Sequence, residues 1–416
     1  MVLCFLLSNY LNNITVICGS LGKYTKGILI RMKKILHISK YYYPFVGGIE
    51  KTARDCVNAL KNSYEQKVIC FNHVKGEYID IVDGIDVLYC ECQCKISSQS
   101  ISLSYGFNLK KIIREFKPDY ILFHYPNPFV AQFLLKYLNE KIKLIIYWHL
   151  DITKQKIIGK FVHCQNLKLI HQAYKIIATS PNYVEGSNYL RKVKEKCIII
   201  PSCINEKRLM TDKASIGLSN KIKQENKGKI ICLAVGRHVS YKGFEYLIRA
   251  SKLLDKRFEI YIAGNGKLTK KLEQLASDDE KVHFLGLVDD NTLKAYFIAA
   301  DIFCFPSITK NEAFGLALAE AMYFGIPVVT FTIPGSGVNY VSLNNITGIE
   351  VKSKSVLEYA NALSFLAENS EKRVIFGKAG RRRVMENFMY DQFIVNINKF
   401  FQFIEKEIDY DEADNY

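Results

Sequence analysis

No stretch of about 18 uncharged apolar residues occurs in the 416-residue sequence, so nothing in it reads as a conventional membrane-spanning helix. The apolar opening from Met1 to Ser20 is broken by Ser8, Asn9, Asn12 and Asn13 and has no basic leader, which makes it a poor signal peptide. The G-x-G-x-x-G fingerprint is missing, and no acidic residue stands at the expected ribose position after the second strand. That argues against a nicotinamide oxidoreductase. A tandem repeat is also missing. A disulfide scaffold is excluded by length and placement: the 12 cysteines are scattered through apolar runs, as at Cys70, Cys232 and Cys304, where a free thiol acts as a small core residue. A reducing cytoplasm suits such a chain.

What is present points to two soluble α/β domains, since the chain is too long for one ordinary core. Met32-Lys33-Lys34 leading into an apolar strand reads as a genuine start. Residues 1–31 are therefore expected to be a dispensable extension or an over-long gene product. Short apolar runs then alternate with amphipathic stretches. Ile35–Ser39, Lys67–Asn72, Tyr120–His124, Leu144–Trp148, Lys175–Thr179 and Cys197–Pro201 read as buried strands, and Ile49–Lys61 and Gln165–Ala173 read as helices. This is the βαβ rhythm of a parallel sheet. It restarts after a polar linker, Lys213–Lys229, with strands at Ile230–Val235, Phe258–Ala263, Val282–Leu285, Ile302–Phe305 and Pro327–Thr330. The expected division is 32–205 and 206–390, with residues 391–416 forming a last helix and an acidic, disordered tail from Asp409. Cys90, Cys92 and Cys94 alternate with polar residues. They lack a nearby fourth ligand, so they read as one core-facing face of a strand rather than a zinc site.

Charge is uneven. Of the net +16, residues 32–205 carry about 25 basic and 14 acidic side chains, whereas the remainder from Glu206 is nearly balanced. A basic first half suits an anionic partner. The densest cluster is Lys110, Lys111, Arg114 and Lys117, interleaved with Leu109, Ile112, Ile113 and Phe116, which predicts a basic amphipathic helix.

Several motifs fall at strand ends, where α/β sheets bind ligands. Gly47-Gly48 precedes a helix start and lets backbone N–H groups approach a phosphate or sugar. Gly236-Arg237 follows a strand, with Lys242-Gly243 close behind, and two cations there suit a diphosphate. Ala263-Gly264-Asn265-Gly266 ends the next strand. The sharpest feature is Glu312-Ala313-Phe314-Gly315 followed by Glu320, with Phe314–Tyr323 reading as a helix. Two carboxylates there can accept from vicinal hydroxyls, and Gly315 leaves N–H groups free beside a leaving phosphate.

In order along the chain, Tyr43-Pro44 with Gly47-Gly48-Ile49-Glu50, Trp148-His149-Leu150-Asp151, Ile177-Ala178-Thr179-Ser180, Gly236-Arg237 with Lys242-Gly243, Ala263–Gly266, Phe284-Leu285-Gly286, Pro306-Ser307 and the E-x7-E spacing from Glu312 to Glu320 resemble glycosyltransferase family 4. The likeness runs from about Met32 to Asp391. It implies the GT-B fold: two Rossmann-like domains facing across a cleft, with the C-terminal helix crossing back to the first. It also implies retaining transfer of a hexose or deoxyhexose from a nucleotide-sugar, without a metal. On this resemblance Arg237 and Lys242 neutralise the donor diphosphate, Glu320 holds the ribose, and Glu312 holds sugar hydroxyls. Phe314, Gly315 and Leu316 touch sugar or phosphate, and Gly47 and Gly48 belong to the donor site, with Gly48 approaching the phosphate. His149 sits beside the donor sugar, Gly236 and Gly264 line the donor site, and backbone at Leu287 meets the base. Asp289-Asp290 is then a solvated turn rather than a metal motif.

The variant motifs Trp148-His149-x-Asp151 and Glu312-Ala313-Phe314-Gly315 resemble the bacterial rhamnosyl/mannosyltransferase branch. This implies a cytoplasmic enzyme of surface polysaccharide or lipopolysaccharide assembly. Its acceptor would be a glycan or a lipid-linked oligosaccharide, with attachment to an anionic membrane surface and no nucleic-acid partner. One departure is Pro201-Ser202-Cys203-Ile204-Asn205, where the family has a glycine. The competing readings are a sugar-nucleotide epimerase of the same fold, a phosphorylase, which lacks its pyridoxal lysine here, and a non-catalytic sugar-binding subunit.

Overall fold

The computed structural model describes residues 24–25, 28–29, 31–45, 47–96, 99–152 and 159–413. The expectation for residues 1–31 falls almost wholly outside them. Two parallel-rich sheets carry the chain. The first has strands β1 (Lys34–Ile38), β2 (Glu65–Phe71), β3 (Tyr78–Val82), β4 (Ile85–Cys90), β5 (Tyr120–Tyr125), β6 (Lys143–Trp148), β7 (Lys175–Ala178) and β8 (Cys197–Ile199), in the order β8-β7-β6-β5-β1-β2-β4-β3. Only β3 runs antiparallel, as the outer arm of a hairpin on β4. The second sheet has β9 (Ile230–Val235), β10 (Phe258–Ala263), β11 (Val282–Gly286), β12 (Ile302–Phe305), β13 (Val328–Phe331) and β14 (Gly348–Val351) in the order β11-β10-β9-β12-β13-β14. This is the doubly wound order of a Rossmann unit. It places a switch point between β9 and β12, where outgoing loops diverge and leave a crevice.

The period-two alternation of strands divides the first domain's core between the two faces of its sheet. Leu36, Ile121, Phe123, Ile146 and Trp148 face one cluster, and Ile35, Tyr120, Leu122, Ile145 and Tyr147 face the other. That second face is completed by the last helix of the chain, Tyr390–Ala413, through Phe393, Ile397, Phe400, Phe401 and Ile404. The helix follows Phe388 and Met389 of the second domain back to the first, as the fold expectation requires. Its apolar residues recur at helical spacing and bury a single stripe. Phe401 is fully buried between Tyr64 and Tyr120, with ring centroids at 5.3 and 5.7 Å. Phe401→Ala is expected to cost about 3–5 kcal/mol by urea unfolding, because the surrounding sheet cannot collapse onto the void. A loss below about 1 kcal/mol would show that the crossing helix is not part of the core.

Three expectations need correction. The supposed linker contains a helix, Lys213–Glu225, capped by Asp212 and packed through Ile222 on Ala295 and Ala299; its polar look comes from a wide solvated face. The acidic tail is helical as far as Ala413. Just before it, Glu405 and Glu407 anchor the same helix by accepting from Tyr64, and from Tyr174 and Lys175. Cys90, Cys92 and Cys94 do not share a strand: β4 ends at Cys90, which is buried, while Cys94 is exposed at the start of a short hairpin. Among the described residues no helix is long and apolar enough to cross a membrane.

Candidate functional site

The C-terminal ends of both sheets open onto one cleft of about 310 Å3, lined from the first domain by Gly48, Ile49, Thr52, His149, Leu150, Thr179 and Ser202. From the second come Val235–Arg237, Tyr241, Lys242 and the run from Glu312 to Ala317. Of the residues singled out in the sequence, His149, Gly48, Gly236, Arg237, Lys242, Glu312, Phe314, Gly315 and Leu316 therefore meet. Gly47, Gly264, Leu287 and Glu320 are not among its lining.

Each lining group is held by local rules. Gly48 opens the helix Gly48–Leu60, and its missing side chain faces open space, so backbone N–H groups are accessible there. Gly47 precedes it in an extended conformation, with the buried Glu50 carboxylate folded over it. Burial holds that carboxyl above its usual pKa, against the pull of Lys40 and Arg237. Gly236 follows β9. Gly264, at φ +128°, presses so closely on Gly236 that any side chain would run into its carbonyl. Gly264 thus shapes the Gly236 loop from behind.

Lys242 Nζ lies 2.5 Å from Glu312 Oε2, and Ser307 Oγ donates to the same oxygen at 3.1 Å. Both charged side chains are nearly buried, with relative exposures of 12% and 11%. Lys242 also lies over the Phe305 ring, 4.9 Å from its centroid. Arg237 donates to the Tyr241 hydroxyl at 3.1 Å. The helix expected from Phe314 begins instead at Leu316, because Gly315 takes the left-handed conformation at φ +94° as its N-cap. No side chain caps this end, so N–H groups of the first turn face the cleft beside Lys242.

Glu320 lies inside this helix, as the sequence implies, and is paired with Arg208, a partner the sequence does not reveal, which also binds Asp290 at 2.8 Å. Burial keeps the Glu320 carboxyl above its ordinary range despite the guanidinium beside it. Asp289 caps the helix Asp290–Ala299, accepting from the N–H groups of Asn291 and Thr292. The Asp289-Asp290 pair is solvent-exposed, as expected of it, and serves as a helix cap and an ion-pair partner. Leu287 is 82% exposed at the end of β11. Lys310, two residues before Glu312, crosses to the first domain. Its Nζ lies 2.7 Å from the buried Asp151 and donates to the Gly186 carbonyl at 2.9 Å. Trp148 Nε1 and Ser187 Oγ each donate to the other Asp151 oxygen at 2.9 Å. Beside this bridge, Gly186 and Gly335 approach so closely that neither has room for a side chain.

His149 is buried, and its Nε2 lies 3.1 Å from His124 Nδ1. Its ring stacks on Tyr147 at 4.5 Å. Burial pushes its pKa down to about 3, so at neutral pH it is an uncharged imidazole.

Comparison with known proteins follows the same division. Residues 46–208 match the family described as Glycosyltransferase Family 4, and residues 217–383 match Glycosyl transferases group 1. O-antigen chain mannosyltransferase C of Escherichia coli is 27% identical over 365 residues, covering 87% of this chain and 96% of that protein. D-rhamnosyltransferase WbpZ of Pseudomonas aeruginosa is 27% identical over 360 residues, covering 85% of this chain and 92% of that one. Among solved structures, Anabaena Alr3699/HepE in complex with UDP and glucose superposes with a TM-score of 0.70 at 17% identity, covering 89% of this chain and 100% of that one.

Proposed function

We propose, for a chain that belongs to glycosyltransferase family 4 and carries the GT-B fold, the retaining transfer of a hexose or deoxyhexose from a nucleotide-sugar to a growing surface glycan or lipid-linked oligosaccharide. The observation that carries this reading is the cleft itself: it joins Gly48 and His149 of one sheet to Arg237, Lys242, Glu312 and Gly315 of the other. The similarity to a mannosyltransferase and a rhamnosyltransferase over most of the chain supports the sugar class.

In this reading the donor diphosphate lies against Arg237, Lys242 and the N–H groups after Gly315. These groups are fixed before the reaction and stabilise the charge that develops as the bond from the anomeric carbon to phosphate oxygen breaks. The acceptor hydroxyl attacks from the face the phosphate leaves, and its proton passes to the departing phosphate oxygen, so the configuration is retained. Glu312 accepts from sugar hydroxyls and Glu320 from the ribose, each exchanging part of its present ion pairing for ligand contacts. The cations take the place of a metal, so EDTA is expected to leave turnover within twofold. Strong EDTA inhibition reversed by manganese would refute that part.

The donor test is a thermal-shift panel of UDP-, GDP- and dTDP-sugars. A ligand at about 100 times its Kd adds about 2.7 kcal/mol to the folded state. At least one sugar nucleotide should raise the melting temperature; a flat response to all would oppose the reading.

The reading extends to a cytoplasmic membrane face. In the helix Tyr105–Phe116, Leu109, Ile113 and Phe116 are buried, while Phe107, Lys110, Lys111 and Arg114 are exposed beside Leu103. Each cation near an anionic surface contributes about 1 kcal/mol. Flotation with anionic liposomes should weaken in high salt and fall when Lys110, Lys111, Arg114 and Lys117 become Gln. Equal flotation with neutral liposomes would reject this surface.

A further inference from the structure

Three histidines stand in a row at one end of the first sheet. His37 of β1 and His124 of β5 share a sheet face with Tyr147, and His149 lies two residues beyond Tyr147 on the same face. The rings are nearly parallel: His37 to His124 at 6.5 Å and 19°, His124 to His149 at 5.4 Å and 16°. His37 and His124 are fully buried, while His149 reaches the cleft.

Proton positions follow from the partners. Gln66 donates its amide nitrogen to the Val57 carbonyl at 3.1 Å, so its oxygen is the atom that faces His37 Nε2 at 2.7 Å. His37 therefore carries its proton on Nε2 and leaves Nδ1 a bare lone pair, consistent with its having no partner. His124 Nε2 is likewise buried without a partner. A proton there would be an orphan donor, which buried structure tolerates less well than an orphan acceptor. On His124 Nδ1 the same proton is used at once, in the 3.1 Å bond to His149 Nε2.

We propose that His124 is a positioning residue that fixes His149 as the tautomer protonated on Nδ1, so that His149 offers the cleft a neutral N–H donor for an oxygen of the bound sugar nucleotide. This rests on the reading that the donor occupies the cleft. Burial supports it by keeping all three imidazoles uncharged. The proton on His149 stays where it is throughout the reaction; the imidazole binds and orients, and the acceptor's proton leaves by the phosphate.

The test uses the full chain with 15N-labelled histidine and two variants. His124→Asn keeps an N–H donor where Nδ1 stands; His124→Leu removes it. Long-range proton–nitrogen spectra, with His149 assigned by its loss in His149→Gln, should show the Nδ1-protonated form in wild type and His124→Asn. They should show a mixture of tautomers in His124→Leu. Turnover of whichever nucleotide-sugar the thermal-shift panel selects should fall about tenfold in His124→Leu, be largely restored in His124→Asn, and fall no further in His124→Leu combined with His149→Gln. A proton on His149 Nε2 in wild type, as a water bridging His124 Nε2 to His37 Nδ1 would favour, overturns the proposal. So does an unchanged tautomer in His124→Leu, or, if that variant does not fold, a lost tautomer in His124→Asn. Failure of the donor reading is separate: no sugar nucleotide would bind wild type, while the spectra would still report the tautomer.

Discussion

Lys242→Ala is expected to lower turnover about 10²–10³-fold, the usual cost of removing one fixed charge from a developing oxyanion. Lys242 is held against Glu312 Oε2 and over Phe305, so it is oriented before any donor arrives. That preorganisation is what makes it worth more than a surface lysine. Removing it leaves Glu312 with Ser307 as a remaining donor, and the opening to the cleft admits water, so the fold should persist. Glu312→Gln should give a comparable loss of turnover by a different route: the amide keeps the shape but releases Lys242 and weakens acceptance from sugar hydroxyls. Steady-state rates with circular dichroism on both variants decide the matter. More than a tenth of wild-type turnover in Lys242→Ala, with the fold intact, would remove this lysine from the leaving-group site.

The second large effect should come from Lys310→Met. This substitution leaves Asp151 buried with two neutral donors and no cation. Breaking a buried pair from one side costs about 3–5 kcal/mol, because the remaining charge keeps its desolvation penalty. Parting of the two domains, letting water reach Asp151, is the expected way to relieve that penalty, because Lys310 bridges them. The expected signature is therefore a lower melting temperature together with a raised KM for donor, since Lys310 lies two residues from Glu312. Asp151→Asn in the same background should recover much of the stability, because the uncompensated charge is gone. Additive losses in that double variant would show that the two residues act independently.

The sequence reading reached furthest where chemistry is local. β9, β10 and β12 fall on the residues expected for them, because each is a short apolar run bounded by turn residues. Gly315 and Lys242 were legible as cleft-lining groups because a glycine at a helix start and a lysine just after a strand fall where an α/β sheet opens at its strand C-termini. What was hidden depends on long-range closure. Lys310 and Asp151 are 159 residues apart, Arg208 and Glu320 are 112 apart, and neither pair leaves a periodic trace. Glu320 was therefore legible as a ligand-holding carboxylate but not as the partner of Arg208. His124 was visible only as part of an apolar strand; its meaning comes from the register that sets it against Tyr147 and places His149 beyond. The helix Lys213–Glu225 was missed because its apolar contacts are few and its exposed face is rich in lysine, so composition suggested a linker.

The fate of the donor tests retaining transfer by this cleft most directly. The nucleotide-sugar chosen by thermal shift is incubated with wild type and with Lys242→Ala, and proton NMR follows both nucleoside diphosphate release and the anomer of the freed sugar before it equilibrates. Wild type should release the nucleoside diphosphate and yield first the anomer present in the donor, and Lys242→Ala should release almost none. First formation of the opposite anomer, or equal release by the variant, would contradict a retaining transfer carried by the groups of this cleft.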